Sequence, residues 1–134
     1  MMMTTKTGWI LWVEDDDQIV RDLQLVWRAP LPVRRVESTA GALRALESAP
    51  PELILLDLHL PHFLAPVDEE EGLAFLRNIR SRLPRDLPVV VLTQDASADC
   101  RSRAIALGAD AFLRKPVKVD ELEKVVRGLM EKPG

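Results

Sequence analysis

The chain has 134 residues, of which 47% are hydrophobic and 29% are charged, and this composition excludes a disordered protein. Its formal net charge of −3 provides no electrostatic footprint for nucleic acid or an anionic membrane. Cys100 is the only cysteine, which excludes an internal disulfide and indicates a reducing compartment. Because the first residues lack the apolar core of a signal peptide and no segment approaches membrane-span length, we expect a cytoplasmic protein. The length predicts one domain over 1–134, with its core at about 8–130.

Five short apolar segments predict the strands of a parallel sheet. They are continuous rather than alternating, as strands buried on both faces are. In chain order they are WILWV (9–13), the weaker VRRVE (33–37), LILL (53–56), VVVL (89–92) and AFL (111–113).

Segments with helical spacing follow the strands. Apolar residues recur at this spacing in 19–26, 76–83 and 122–129, and shorter helices are predicted at about 40–48 and 98–107, the last closed by Gly108. Five alternations of strand and helix predict an α/β fold, a doubly wound parallel sheet with helices on both faces and right-handed crossovers. One stretch, 62–72, shows no regular pattern and is predicted to be a long loop with an acidic run.

Polar side chains follow four of the five predicted strands, at the point where each strand ends. Glu14 and Asp15 follow the first strand, Asp57 the third, Thr93 the fourth and Lys115 the fifth. The carboxyl ends of parallel strands share one edge of the sheet, and ligands of open α/β folds bind there. We therefore expect these five residues to form one site.

The clustered acids predict a divalent cation. Two ionised carboxylates about 4 Å apart repel by about 4 kcal/mol at an effective dielectric of 20, and Lys115 alone does not offset two or three of them. An all-oxygen site that keeps several waters suits Mg²⁺. With a phosphoryl group as substrate, Lys115 and Thr93 would hold its oxygens and Asp57 would be the nucleophile that forms an acyl phosphate. Ordinary roles remain open, because Asp16 or Asp17 is expected to cap the following helix and threonine is a common strand residue.

Over nearly its whole length the sequence resembles the receiver domain of response regulators in two-component signalling. The resemblance is carried by ILWVEDD (10–16), LILLDLHLP (53–61), VVVLT (89–93) and GADAFLRKP (108–116), in this order and each at a strand end. It implies a flavodoxin-like fold with five parallel strands in the order 2-1-3-4-5. It also implies that a sensor histidine kinase or a histidine phosphotransfer protein transfers a phosphoryl group to Asp57, with Mg²⁺ (or Mn²⁺) as cofactor. The chain would then catalyse only its own phosphorylation and slow dephosphorylation, and would not be an enzyme otherwise.

The resemblance also implies a ligand set for the metal. Asp57 is the phosphoacceptor and a metal ligand, Asp15 a direct ligand, and Glu14 a ligand that acts directly or through water. The main-chain carbonyl of His59 is a further ligand.

For signalling, the resemblance implies that Thr93 and Lys115 contact the phosphoryl group and that Thr93 and Phe112 form the conformational switch. Pro116 makes a cis peptide after Lys115. The resemblance implies that a surface at about 98–130 binds a downstream protein or a second copy of the chain. It implies no direct contact with nucleic acid or a membrane.

The sequence departs from the family pattern near the site. Gln94 stands where the family usually has a small residue, Asp95 adds an acid, and His59 adds an imidazole two residues past the acceptor. We expect these three residues to tune the dephosphorylation rate, with the direction left open. Gly72 lies later than the glycine that usually follows Asp57, which indicates an insertion at 62–72.

Three other functions are weighed against this one. A phosphatase of the haloacid dehalogenase type also uses an aspartate nucleophile, but it has a second aspartate where this chain has His59. A receiver that docks without being phosphorylated would not need the acidic and phosphoryl-binding residues that this chain retains. A flavodoxin-like electron carrier would not place EDDD (14–17) where it binds phosphate. The sequence leaves open the kinase, the stimulus, the output, the oligomeric state and whether the chain is part of a longer protein.

Overall fold

The computed structural model describes residues 8–62, 65–84, 86–95 and 97–131, and within 60–71 it describes the main chain only. The strands are β1 (Ile10–Val13), β2 (Val33–Val36), β3 (Leu53–Asp57), β4 (Leu60–His62), β5 (Ala65–Asp68), β6 (Val89–Thr93) and β7 (Ala111–Arg114). The helices are α1 (Asp17–Val26), α2 (Thr39–Ser48), α3 (Glu69–Arg82), α4 (Ala98–Ala106) and α5 (Val119–Met130).

Five strands form one parallel sheet in the order β2-β1-β3-β6-β7. Counting only these strands along the chain, the order is 2-1-3-4-5, which confirms the predicted doubly wound α/β fold. The strand order reverses between β1 and β3, so the loops after these two strands flank the crevice where such folds bind ligands.

Helices cover both faces of the sheet, as predicted. Alternate residues of each strand point to opposite faces, so the strands contribute to one buried cluster on each face. On one face, Leu11, Ile54 and Val91 belong to a buried cluster with residues of α2, α3 and α4. On the other face, Trp12, Leu55 and Leu92 belong to a cluster with residues of α1 and α5. Burial on both faces explains why β1, β3 and β6 have continuous apolar sequences, whereas the edge strands β2 and β7 are only partly buried.

All five predicted helices are present, and the bounds of α1, α2 and α4 are confirmed to within a residue or two, whereas α3 begins seven residues and α5 three residues earlier than the apolar spacing indicated. Local capping explains two of these boundaries. Asp16 caps α1, since its side chain accepts hydrogen bonds from the amides of Gln18 and Ile19. Gly108, just after α4, has a φ of +110°, which a residue with a side chain rarely adopts.

The prediction of an irregular loop at 62–72 is wrong. Strands β4 and β5 pair antiparallel as a separate two-stranded sheet, and the acidic residues open α3. Each strand is short and contains a proline, so neither shows the periodicity of a sheet strand. Acidic residues favour a helix N-terminus, which explains where α3 begins. That this segment is an insertion stays a prediction.

Gly72 explains how α3 approaches the loop after β3. A Cβ atom at this position would collide with the main chain of Leu58, the residue directly after Asp57. The glycine therefore permits the close packing of α3 against the loop after β3.

None of the helices in the described part of the chain has the length and apolar character that a membrane span requires.

Candidate functional site

The carboxyl edge of the sheet brings together four buried polar side chains. Glu14 and Thr93 have 0% of their surface exposed, Asp57 has 3% and Lys115 has 8%, and within the described part of the chain these four are the buried polar residues. They follow or end β1, β6, β3 and β7, which are non-adjacent in sequence. Buried charges are costly unless paired, so their convergence marks a functional site.

Lys115 lies between two carboxylates. Its Nζ donates a hydrogen bond to Glu14 Oε1 at 2.8 Å and lies 3.2 Å from Asp57 Oδ2. The Lys115–Pro116 peptide bond is cis, as the family resemblance implied. The lysine side chain thus reaches the phosphoacceptor position predicted from the sequence.

The carboxylates are more numerous than the cation that faces them. Burial, and next the charge of Asp57, raise the pKa of Glu14 from 4.5 to about 7, although Lys115 acts in the opposite direction. Burial and the charge of Asp57 also raise the pKa of the half-buried Asp15. Uncompensated negative charge at this edge therefore favours the uptake of a cation or a proton.

The donor set fits Mg²⁺. Glu14, Asp15 and Asp57 each offer a carboxylate oxygen, and these atoms lie within 4.8 Å of one another. Only oxygen ligands are present, as hard divalent cations prefer, and the cluster is partly open to water through Asp15. Glu14 is the more deeply buried of the first two acids and already accepts from Lys115.

Arg35 holds the loop that carries the acids, a contact that was not predicted from the sequence. Its Nε donates to the main-chain oxygen of Glu14 at 2.7 Å, and its Nη2 lies 2.7 Å from Asp17 Oδ1. Within the loop, the amide of Asp16 donates to Glu14 Oε2 at 3.2 Å. The basic residues in VRRVE were a signal, since this strand neighbours β1, but the sequence does not show which of them faces the loop.

His59 contacts both Asp57 and Thr93. Its main-chain N–H donates to Asp57 Oδ1 at 3.0 Å, and its ring Nδ1 lies 3.2 Å from Thr93 Oγ1. Thr93 Oγ1 also accepts a hydrogen bond from the amide of Asp95 at 3.2 Å. The structure therefore brings this threonine to the site by way of His59.

A cavity of about 210 Å³ opens at the acidic cluster. It is lined by Glu14, Asp15, Asp16, Ile19, Asp57, His59, Gln94 and Lys115. Two of the predicted tuning residues, His59 and Gln94, thus lie at the cavity. The carboxylate of the third, Asp95, instead accepts a hydrogen bond from the amide of Ser97 before α4. Phe112 is half-buried on β7 and packs against the core cluster on the α4 side of the sheet.

A larger groove of about 630 Å³, which was not predicted from the sequence, adjoins this cavity. It is lined by Ile19, Asp22, Leu23, Val26, Gln94, Arg114, Lys115, Pro116, Val117 and Val119. It shares Ile19, Gln94 and Lys115 with the acidic cavity. The groove therefore runs from α1 and the segment before α5 up to the site.

Comparisons with known proteins agree with this arrangement. The family described as "Response regulator receiver domain" matches residues 10–127. The DNA-binding transcriptional regulator NtrC of Escherichia coli K12 is 34% identical over 119 residues, which are 87% of this chain and 24% of NtrC. The CheY-like receiver domain protein of Methanospirillum hungatei superposes with a TM-score of 0.78 at 27% identity, covering 96% of this chain and 100% of that one. The phosphorylated cyanobacterial phytochrome response regulator RcpA superposes with a TM-score of 0.71 at 27% identity, covering 92% and 91%. The chain thus spans about a quarter of the length of NtrC.

Proposed function

Since the chain belongs to the response regulator receiver domain family of two-component systems, we propose that Asp57 is its phosphoacceptor and that phosphorylation requires Mg²⁺. The observation that carries this proposal is the position of the Asp57 carboxylate. It lies at the end of a buried strand, 3.2 Å from Lys115 Nζ and within a cluster of three acids that can hold a cation. That RcpA is phosphorylated supports the same chemistry here.

In the proposed reaction, an oxygen of Asp57 attacks phosphorus and the P–N bond of a phosphohistidine breaks, leaving the imidazole with the bonding electrons. His59 N–H holds Asp57 Oδ1, and Lys115 lies beside Oδ2, so the carboxylate is oriented before the reaction. Lys115 then pairs with a phosphoryl oxygen, and water later hydrolyses the acyl phosphate slowly. Mg²⁺ bound by Glu14, Asp15 and Asp57 would supply the remaining positive charge. We propose that the chain catalyses only its own phosphorylation and slow dephosphorylation.

The proposed donor is the phosphohistidine of a sensor kinase or phosphotransfer protein. Its side chain has to reach Asp57 through the open cavity, so the surface next to that cavity must contact the donor protein. The adjoining groove has this position, and Val26 on its α1 side is 57% exposed. We propose that an apolar helical surface of the donor docks there.

The proposed output surface is the face of α4, β7 and α5, at about 98–130, as the family resemblance implied. Ile105 of α4 is 46% exposed, which offers an apolar contact for a downstream protein or a second copy of the chain. The regulators that share this family include the DNA-binding protein NtrC, of which the chain covers only part. That this chain makes no direct contact with nucleic acid stays a prediction.

Intact-mass measurement tests the phosphoacceptor directly. Incubation with acetyl phosphate and Mg²⁺ should add one phosphoryl group, and EDTA or Asp57→Asn should abolish the addition. Asp99→Asn, which changes an exposed acid in α4, is the matched control and should be phosphorylated normally. If the unsubstituted chain acquired no phosphoryl group from acetyl phosphate or from a cognate kinase, docking without phosphorylation would be the better function.

A further inference from the structure

His59 links the phosphoacceptor to Thr93 through two separate parts of the residue. Its main chain donates to Asp57 Oδ1, and its ring Nδ1 contacts Thr93 Oγ1 at 3.2 Å. A substitution at this position removes the ring contact and leaves the main-chain bond in place. The role of the ring can therefore be examined separately.

The Thr93 hydroxyl is held by two groups in this structure. The amide of Asp95 donates to Oγ1, and the imidazole of His59 is the second partner. With Nδ1 unprotonated, the hydroxyl donates its single proton to the ring, and with Nδ1 protonated, the ring donates to the hydroxyl oxygen. In the first arrangement the hydroxyl can donate to a new acceptor only by giving up its hydrogen bond to His59, whereas in the second its proton is not used by the ring.

Thr93 is linked to the acidic cavity by way of His59. Thr93 is fully buried, whereas His59 lines the cavity and its ring contacts the Thr93 hydroxyl. When Nδ1 is unprotonated, a phosphoryl oxygen on Asp57 that accepts the Thr93 proton must therefore replace His59 as the acceptor.

We propose that the imidazole of His59 is a positioning group whose unprotonated Nδ1 accepts the Thr93 hydroxyl proton before phosphorylation, and so holds the hydroxyl away from the phosphoryl group. This inference rests on the proposed function, because the group that competes with His59 is the phosphoryl group on Asp57. The two partners of Thr93 define two states of the site, and His59 stabilises the unphosphorylated one. Loss of the ring contact shifts the phosphorylated protein toward the state in which Thr93 binds the phosphoryl group.

Binding of beryllofluoride, an analogue of the phosphoryl group, measures this competition. With the full 134-residue chain and saturating Mg²⁺, His59→Leu should bind beryllofluoride about fivefold more tightly in calorimetry, which is roughly the factor that one neutral hydrogen bond contributes. His59→Asn places an amide near the position of Nδ1 and should restore the affinity to within about twofold of the unsubstituted chain. Equal affinities for His59→Leu and the unsubstituted chain would overturn the proposal, as would failure of His59→Asn to restore the lower affinity.

A double-mutant cycle separates an effect through Thr93 from a general effect of the ring. In the Thr93→Val background, His59→Leu should leave beryllofluoride affinity unchanged, because the hydroxyl is absent. A fivefold gain in that background would show that the ring acts without Thr93. Titration with Mg²⁺ alone sets the saturating concentration separately for each variant, so that the comparison measures beryllofluoride binding. If the unsubstituted chain bound no beryllofluoride and acquired no phosphoryl group, the proposed function itself would fail, which is distinct from these outcomes.

Discussion

Lys115 Nζ lies 2.8 Å from Glu14 Oε1, and the two buried side chains are 101 residues apart in the sequence. The same ammonium group faces Asp57, and Asp15 completes a cluster of three carboxylates. When all are ionised, three carboxylates and one ammonium group leave two negative charges uncompensated. The site can lower this cost by taking up a metal ion or a proton, so the two compete for it.

The affinity for Mg²⁺ should therefore depend on pH near neutrality. Glu14, with its pKa raised to about 7, must be ionised to bind the metal. Since such a group is about one-tenth ionised at pH 6 and about nine-tenths at pH 8, the affinity should rise by about tenfold between these values. Calorimetric titration with Mg²⁺ at several pH values checks this. Glu14→Gln should bind more weakly and lose most of the rise, and an equally steep rise in that variant would assign the titration to another group.

Replacing Lys115 should destabilise the metal-free protein. Lys115→Met leaves Glu14 and Asp57 buried without their cation, and the loss of one partner from a buried ion pair costs roughly 3 kcal/mol or more. Urea unfolding at pH 8 in EDTA should show this loss, and saturating Mg²⁺ should stabilise Lys115→Met more than the unsubstituted chain. Lys118→Met, at an exposed position three residues later, should have little effect.

Replacing Arg35 should weaken Mg²⁺ binding, although this residue does not belong to the acidic cluster. It holds the main-chain oxygen of Glu14 and the carboxylate of Asp17, so it fixes the loop between β1 and α1. Residues that orient metal ligands typically change metal affinity by about 10-fold or more, so Arg35→Met should weaken Mg²⁺ binding by about that factor.

Charge alone predicts the opposite change, because removing a cation near the site should strengthen Mg²⁺ binding. Arg34→Met measures this electrostatic effect, since Arg34 is exposed on the same strand. Arg35→Lys keeps the charge but not the planar group that makes both contacts, and it should also bind Mg²⁺ more weakly. Wild-type affinity in Arg35→Met would show that the loop holds its shape without this contact.

The sheet was predictable because its three central strands, β1, β3 and β6, are buried on both faces. Ile10–Val13 and Val89–Val91 are fully buried, so no polar residue interrupts them and their apolar pattern marks the strands. The site followed from the same pattern, since Asp57 and Lys115 come directly after buried segments and parallel strands bring their ends to one edge.

What the sequence did not predict depends on contacts between distant segments. The pairing of β4 with β5 joins two short strands, each with a proline, whose local pattern resembles a loop. Arg35, and not Arg34, contacts the loop after β1 because the two residues lie on opposite faces of the edge strand β2. The groove beside the site exists because α1 lies next to the segment before α5. The amino-acid pattern of either segment alone does not predict that they are neighbours.

The stability of the metal-free protein should also change with pH through Glu14. Its pKa is about 7 in the folded protein and near the ordinary value of 4.5 when unfolded, so the folded state binds the proton more tightly. The stabilisation from this protonated group is fully present below pH 4.5 and is lost as the pH rises through 7. Relative to Glu14→Gln, the unsubstituted chain should therefore lose free energy of unfolding on the order of 3 kcal/mol between pH 4.5 and 8. Urea unfolding in EDTA measures the difference between the two proteins. As a control, Glu47→Gln, at an exposed position in α2, should differ from the unsubstituted chain by a free energy of unfolding near zero at both pH values. A difference that grew with pH in favour of the unsubstituted chain would mean that Lys115 outweighs burial and holds Glu14 ionised.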